Sequence, residues 1–226
     1  MNIRSSVVVL AAGKGSRMGN KKKQFMLLGD KPIVNYSLEF FESCSFIDEI
    51  ILVVAKEDIE YCRNNIYKVS KIVSGGRTRQ ESVYNGLQCV NKNTDVVIVH
   101  DAARPFVSLL DLEKLIGFAN EYGSSTFGVL VKDTIKLKND NMEVLETLDR
   151  DKLVAIQTPQ AFCYDKILKA HEIAKGSGYC GTDDTVLMEK CKIVTKIVEG
   201  SYYNIKITTK EDLVFADAIK RSMDNF

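Results

Sequence analysis

Apolar residues follow two patterns along this chain. β-rich apolar runs fall at 7–12, 49–55, 71–73, 96–100, 125–131 and 193–198. Most are continuous rather than alternating, which implies strands buried on both faces. Between them, 33–41, 58–67, 80–90 and 109–122 place apolar residues three and four apart, the spacing of amphipathic helices. Strand and helix alternate, which predicts an α/β fold: a Rossmann-like, mostly parallel sheet with helices on both faces. One stretch breaks the rhythm. At 133–148, DTIKLKNDNMEVLETL has two short alternating segments around KNDN, a hairpin signal. Such a projecting hairpin either packs on its own body or reaches a partner, and the partner reading is favoured. The chain closes with an amphipathic helix over 210–222, with Thr209 as its N-cap. No internal repeat or linker interrupts the pattern, so 1–226 is read as one domain with 133–150 as its arm.

Composition narrows the field. With 226 residues, 45% hydrophobic and 27% charged, the chain has the make-up of an ordinary globular protein, and no apolar run approaches a membrane span. The start, MNIRSSVVVLAAG, is a poor secretory signal because Lys14 and Arg17 follow so closely, and a cytoplasmic protein with no membrane partner is expected. A net charge of +1 argues against a nucleic-acid polymer as partner. Cys44, Cys62, Cys89, Cys163, Cys180 and Cys191 are scattered without metal-ligand spacing and read as small buried thiols.

Charge clusters where the first strand ends. VVVLAAGKGSRMGNKKKQ, residues 7–24, runs from a buried strand into Gly13, Gly15 and Gly19, interleaved with Lys14, Arg17, Lys21, Lys22 and Lys23. In a doubly wound sheet, ligands sit beyond the carboxyl ends of the strands. Glycines there let backbone N–H groups approach a ligand, and the cations match a polyphosphate. The P-loop pattern is absent, and the dinucleotide pattern fails because Met18 stands at its sixth position. A turn with solvated lysines has the same composition, so the loop alone decides nothing.

Two further segments share that edge. VVIVHDAARPF sets Asp101 and Arg104 at the end of a buried strand, where a carboxylate can hold a divalent cation or cap the following turn. SGGRTRQESVYNGL offers Gly75 and Gly76 for close approach and Ser82 near a helix start, a candidate pocket for a base.

Taken together, AAGKGSRMG, KKKQF, SGGRTRQESVYNGL, HDAARPF, KDTIK, LDRDKLVAIQTPQAF, GTDDTVL and NIKITTKEDL resemble, in order and over nearly the whole chain, the signatures of the 2-C-methyl-D-erythritol 4-phosphate cytidylyltransferase family. The resemblance implies transfer of CMP from CTP to methylerythritol phosphate with release of pyrophosphate, in isoprenoid precursor synthesis, with Mg2+. It implies that Arg17 and Lys23 stabilise charge on the α-phosphate, that Asp101 lies near metal and sugar, and that Lys206 reaches the phosphates. The glycines, Gly13 and Gly15 among them, wrap the triphosphate; Gly75, Gly76 and Ser82 form the cytosine pocket; Ala11, Ala12 and Ala102 also belong to the CTP site. Arg104, Thr134, Arg150 and Thr158 match substrate contacts, Thr134 and Arg150 being delivered from a neighbouring subunit's arm. A homodimer with exchanged arms follows. No general base is needed, because the nucleophile is already a phosphate anion.

The chain departs from the family pattern in places. Lys22 stands where proline is common, Arg77 where an acid often follows the two glycines, and Leu148 where a smaller residue precedes Asp149-Arg150. Asp183 and Asp184 can cap the helix after them or face the substrate, and capping is the favoured reading. Rival readings are cytidylyl transfer to ribitol 5-phosphate, a Rossmann dehydrogenase, which Met18 argues against, and a non-catalytic nucleotide sensor, which has no use for cations aimed at a transition state.

Overall fold

The computed structural model describes residues 3–13, 15, 22–66, 69–109 and 111–224. The chain runs β1 (Ser5–Ala11), a 3-10 turn (Lys23–Phe25), β2 (Leu27–Leu28), β3 (Lys31–Pro32), α1 (Ile33–Ser43), β4 (Glu49–Val54), a 3-10 turn (Lys56–Asp58), α2 (Ile59–Asn65) and β5 (Lys71–Ser74). It continues through α3 (Arg79–Leu87), β6 (Val96–Asp101), α4 (Leu112–Tyr122), β7 (Ser124–Leu130), β8 (Lys136–Lys138), β9 (Val144–Thr147) and a 3-10 turn (Arg150–Lys152). Last come β10 (Val154–Cys163), α5 (Tyr164–Ser177), α6 (Thr185–Lys190), β11 (Thr195–Glu199) and α7 (Lys210–Asp224).

Seven strands form one sheet in the order β11-β7-β10-β6-β1-β4-β5. β1 lies parallel to both β4 and β6, β4 to β5, and β7 to β11; only β10 runs against its neighbours. Side chains of a strand point alternately to opposite faces. Val7, Val9 and Ala11 therefore enter one core with Phe41 of α1, Cys62 of α2 and Leu115 of α4. Val8 enters the other with Val83 of α3, Ile167 of α5 and Leu187 of α6. The apolar runs are continuous because both faces are covered, as expected from the sequence. A third cluster joins Ile33, Phe106, Ile207 and Ala216 and seats α7 against the region that follows β6. The start of α7 is closed by Asp212, which accepts from the Thr208 and Thr209 N–H groups.

The short pair β2 and β3 and two longer elements, β10 and α5, have no counterpart in the sequence reading. β10 carries buried Gln157, Thr158 and Gln160 and slips register between Ile156 and Gln160, around Pro159, which has no N–H for a ladder. Its polar content hides a strand. α5 buries Ile167, Ala170, His171 and Ala174, a helical spacing that was there to be read. The hairpin is present as β8 and β9, both exposed throughout. Its turn is knit by Asn139, whose Oδ1 accepts from the Asn141 and Glu143 N–H groups, and Leu148 closes the ladder by donating to Ile135 O. The cysteines are all free; Cys44 and Cys62 are buried, Cys180 is exposed and the rest lie between, so the expectation of six buried thiols does not hold. Among the described residues no helix is long and apolar enough to cross a membrane.

Candidate active site

The strand order reverses at β1, which has β4 on one side and β6 on the other, and that is the switch point where open α/β sheets bind ligands. Leu10 pairs with Asp101, so the chain leaves β1 and β6 at the same level and both connections open over one edge. A cavity of about 400 Å³ lies there, lined among others by Arg79, Asp101, Arg104, Thr158, Thr182 and Lys206. A larger cavity, about 560 Å³, lies between α3 and α5 and shares no residue with it. The chemistry belongs to the smaller one, because the charged groups from separate elements converge there.

Asp101 is the centre. It ends β6, is 7% exposed, and both carboxylate oxygens face cations: Oδ1 takes Arg79 Nε at 3.3 Å and Oδ2 takes Lys206 Nζ at 2.5 Å. Burial raises the carboxyl pKa, but Arg79 and Lys206 outweigh it and hold Asp101 well below the usual carboxylate range. Its N–H donates to Thr158 Oγ1 at 3.0 Å, which ties β6 to β10. The adjoining His100 is fully buried between Ser37, Arg104 O and Thr158, and burial pushes its imidazole down to about 3, so it is neutral scaffolding. Asp101 therefore neither caps a turn nor sits free; it is the counter-ion of two cations.

Lys206 and Lys23 arrive from opposite ends of the sequence. Lys23 opens the first 3-10 turn and its Nζ donates to Ile207 O at 2.7 Å, next to Lys206. The segment is stapled nearby: Gln24, almost wholly buried, donates to Gly13 O, Phe25 packs edge-on against Tyr61 at 5.1 Å, and Lys22 Nζ pairs with Asp58 Oδ1 at 2.5 Å. Lys22 is thus anchored where a proline was expected, and Asp58 raises its pKa. Arg104 NH1 donates to Asn204 O at 2.7 Å and Ile207 N to Ala103 O, which clamps the segment carrying Lys206 onto the β6 loop.

The base-pocket residues also meet. A Cβ on Gly75 would lie 2.5 Å from the Ala12 Cβ and 2.9 Å from Ser82 Oγ, so only glycine permits this approach. Gly76 N donates to Ser82 Oγ at 3.0 Å. Ala102 is fully buried and its N–H donates to Leu10 O, directly beside Ala11. Gly15 has φ +66°, a left-handed turn suited to glycine. Arg77 turns back onto Glu81, whose carboxylate its side chain and N–H both contact, leaving the pocket to backbone groups.

Arg17, with Lys14, Met18, Gly19 and Lys21, lies outside the described residues. Thr134 and Arg150 are not brought to this edge: both are exposed, neither lines the cavity, and Arg150 donates to Lys132 O. The reading of both aspartates of GTDD as caps needs one correction. Asp183 caps, accepting from Val186 N at 3.1 Å, whereas Asp184 is 1% exposed and pairs with Arg79 NH1 at 2.7 Å. Sequence reasoning missed Arg79 altogether. The available signal was an arginine that opens a helix three residues after Gly76, where a cation opposes the helix dipole and calls for a nearby acid.

Among the described residues no three His, Cys, Asp or Glu side chains are grouped to hold a metal. A lone ionised carboxylate fits magnesium, which takes one or two carboxylates and leaves other positions to phosphate oxygens and water. It does not fit a cage built of protein groups alone.

Three comparisons bear on this arrangement. The family model IspD, 2-C-methyl-D-erythritol 4-phosphate cytidylyltransferase, matches residues 5–222. A relative carrying that enzyme name, from Clostridium botulinum (strain Langeland / NCTC 10281 / Type F), is 47% identical over 222 residues, 96% of this chain and 97% of its own. The crystal structure of 4-diphosphocytidyl-2C-methyl-D-erythritol synthase from Anaerococcus prevotii DSM 20548 agrees with a TM-score of 0.87 at 33% identity, covering 97% of each chain. The cytidylyltransferase of Francisella tularensis gives 0.81 at 30% identity, covering 96% of this chain and 99% of that one.

Proposed function

This chain belongs to the 2-C-methyl-D-erythritol 4-phosphate cytidylyltransferase family, and from that premise we propose that the edge over β1 and β6 is where it transfers CMP from CTP to methylerythritol 4-phosphate. The chain is a nucleotidyltransferase of isoprenoid precursor synthesis. A phosphate oxygen of the sugar phosphate bonds to the α-phosphorus of CTP, the bond from that phosphorus to the bridging oxygen breaks, and pyrophosphate leaves with the electron pair. Nothing has to be deprotonated, since the nucleophile is an anion.

The observation that carries the assignment of roles is the convergence of Lys23, Lys206 and Asp101 at the switch point. Lys23, with Arg17, stabilises charge gathering on the α-phosphate, and Lys206 reaches the phosphates. Such transfers depend on positioning and electrostatics more than on covalent chemistry, and cations fixed beforehand need no reorganisation during the step. Asp101, kept ionised, would hold Mg2+, which supplies neutralising charge to phosphate oxygens. Gly13 and Gly15 lie along the triphosphate with Ala11, Ala12 and Ala102, and Gly75, Gly76 and Ser82 take the cytosine edge. Arg104 and Thr158 contact the acceptor.

Thr134 and Arg150 complete the acceptor site of a second copy. What supports this is their placement on an exposed arm that also exposes Leu137, Met142, Val144 and Leu145, a surface suited to a partner's body. The proposal therefore includes a homodimer with exchanged arms, acting in the cytoplasm. The test is pyrophosphate release from CTP and magnesium, with methylerythritol phosphate and ribitol phosphate as parallel acceptors. Release with the first alone is expected; release with ribitol phosphate overturns the acceptor, and release with neither overturns the reaction.

A further inference from the structure

Asp101 is the near end of a longer charged chain. From Lys206 Nζ the contacts run to Asp101 at 2.5 Å, to Arg79 Nε at 3.3 Å, from Arg79 NH1 to Asp184 Oδ2 at 2.7 Å, and from Asp184 Oδ1 to His171 Nε2 at 3.1 Å. The five groups come from the segment before α7, the end of β6, the start of α3, the residue before α6 and the middle of α5. Asp184 and His171 are each 1% exposed and neither lines the cavity of the site.

Two buried carboxylates within reach of one cation would normally repel each other and drift or take up protons. Here one guanidinium serves both, and it can do so because its donors are held in a rigid plane and point in different directions. Thr78 fixes the first turn from which Arg79 projects, its Oγ1 accepting from Glu81 N at 3.0 Å. Gln80, the next residue, locks the same turn to the loop before α6: its Nε2 donates to Tyr179 O and its Oε1 accepts from Gly181 N. The base-pocket turn, the α6 loop and the end of β6 are thus joined through one side chain.

We infer that Arg79 is a positioning residue of the transfer reaction: anchored at its far end by Asp184, it fixes the carboxylate of Asp101 and, through it, the ammonium of Lys206. The inference rests on the cytidylyltransferase reading above. Arg79 does not act on the nucleotide by charge alone. A lysine at the same place keeps the charge but replaces a rigid planar fork by a point charge on a flexible stem, so it does not fix both aspartates in one geometry. Misplacing a reacting group by an ångström can cost about a hundredfold in rate while ground-state binding stays intact.

The experiment measures kcat and both KM values for Arg79→Lys and for Asp184→Asn, with magnesium in excess and the wild-type enzyme alongside. Asp184→Asn is nearly isosteric and out of the substrate's reach, so it loosens the anchor without altering the cavity wall. Both variants are expected to lose roughly 10–100-fold in kcat with each KM within about threefold. Adding Arg79→Lys to Lys206→Ala is expected to cost much less than Arg79→Lys costs alone, because the effect passes through Lys206. A folded variant of either kind with wild-type kcat overturns the inference, as do a loss confined to KM and losses that multiply in the double variant. Where Arg79→Lys does not fold, the kcat of Asp184→Asn decides. An inactive wild type under the same conditions would instead overturn the reaction, leaving the inference no footing.

Discussion

The strand-edge site and the hairpin arm are both charged, yet their side chains are held in opposite ways. At the edge, Asp101 is enclosed and engaged on both oxygens, Arg104 is tied to Asn204 O, and Lys23 reaches the chain beside Lys206. On the arm, β8 and β9 are exposed throughout and Arg150 donates to the backbone at the arm's root, Lys132 O. In one region the described charged groups find their partners within a single chain. The other has its own turn and ladder but lacks a surface to work against. The difference separates the two halves of the proposed reaction: the cations proposed for the nucleotide are organised locally, while part of acceptor recognition is proposed to come from a second copy.

The sharpest way to break the first half is Lys23→Ala. It removes a cation that counts most in the transition state, so turnover is expected to fall roughly a hundredfold or more while CTP affinity changes far less. Steady-state kinetics combined with CTP binding by calorimetry checks this. Equal losses in rate and binding would place Lys23 in ground-state binding and dissolve its distinction from the glycine turn around it.

The second half is tested by mixing chains. Lys23→Ala and Arg150→Ala proteins, each nearly inactive alone, are expected to regain roughly a quarter of wild-type activity when unfolded and refolded together at equal amounts, because half the dimers carry one intact site in two. No recovery, with mixed dimers shown to form, would return Arg150 to its own chain and leave the arm without a catalytic role.

The same contrast explains what could be read from sequence. Val7 to Ala11 announced a strand buried on both faces, and the alternation of runs and periods announced the parallel sheet, because burial leaves a local periodic mark. Asp101 and Lys206 could be listed, but not their contact, since 105 residues separate them and no local signal encodes the pairing. The pairing of Arg79 with Asp184 stayed hidden for the same reason, since 105 residues separate them too, and Asp184 sits at a helix start, where an aspartate ordinarily serves as a cap. β10 was lost because a strand that borders a polar site carries Gln157, Thr158 and Gln160 on a frame that otherwise demands apolar residues. The resemblance to a family supplied the residues there, and only the structure supplied their joints.

The smallest expected effect belongs to Lys22, at the boundary of the described loop. Its φ of −72° lies within the range a proline ring imposes, so the family's usual residue fits this backbone. Lys22→Pro loses the pair with Asp58, but Lys22 is 36% exposed, and ion pairs open to solvent contribute about 1 kcal/mol or less. Asp58 also keeps a favourable place at the start of α2, where the helix dipole offsets its charge. Against the loss stands a gain of roughly 0.4–1 kcal/mol from restricting the unfolded chain. The two nearly cancel, so the thermal midpoint is expected to move by less than about 4 °C and kcat to stay within about twofold of wild type. A loss of about 3 kcal/mol or more would instead mean that Asp58 behaves as a buried, uncompensated carboxylate once its partner is gone. The clip to Asp58 would then rank with Arg79 as a support of the site, and the lysine could no longer be regarded as a neutral exchange for proline.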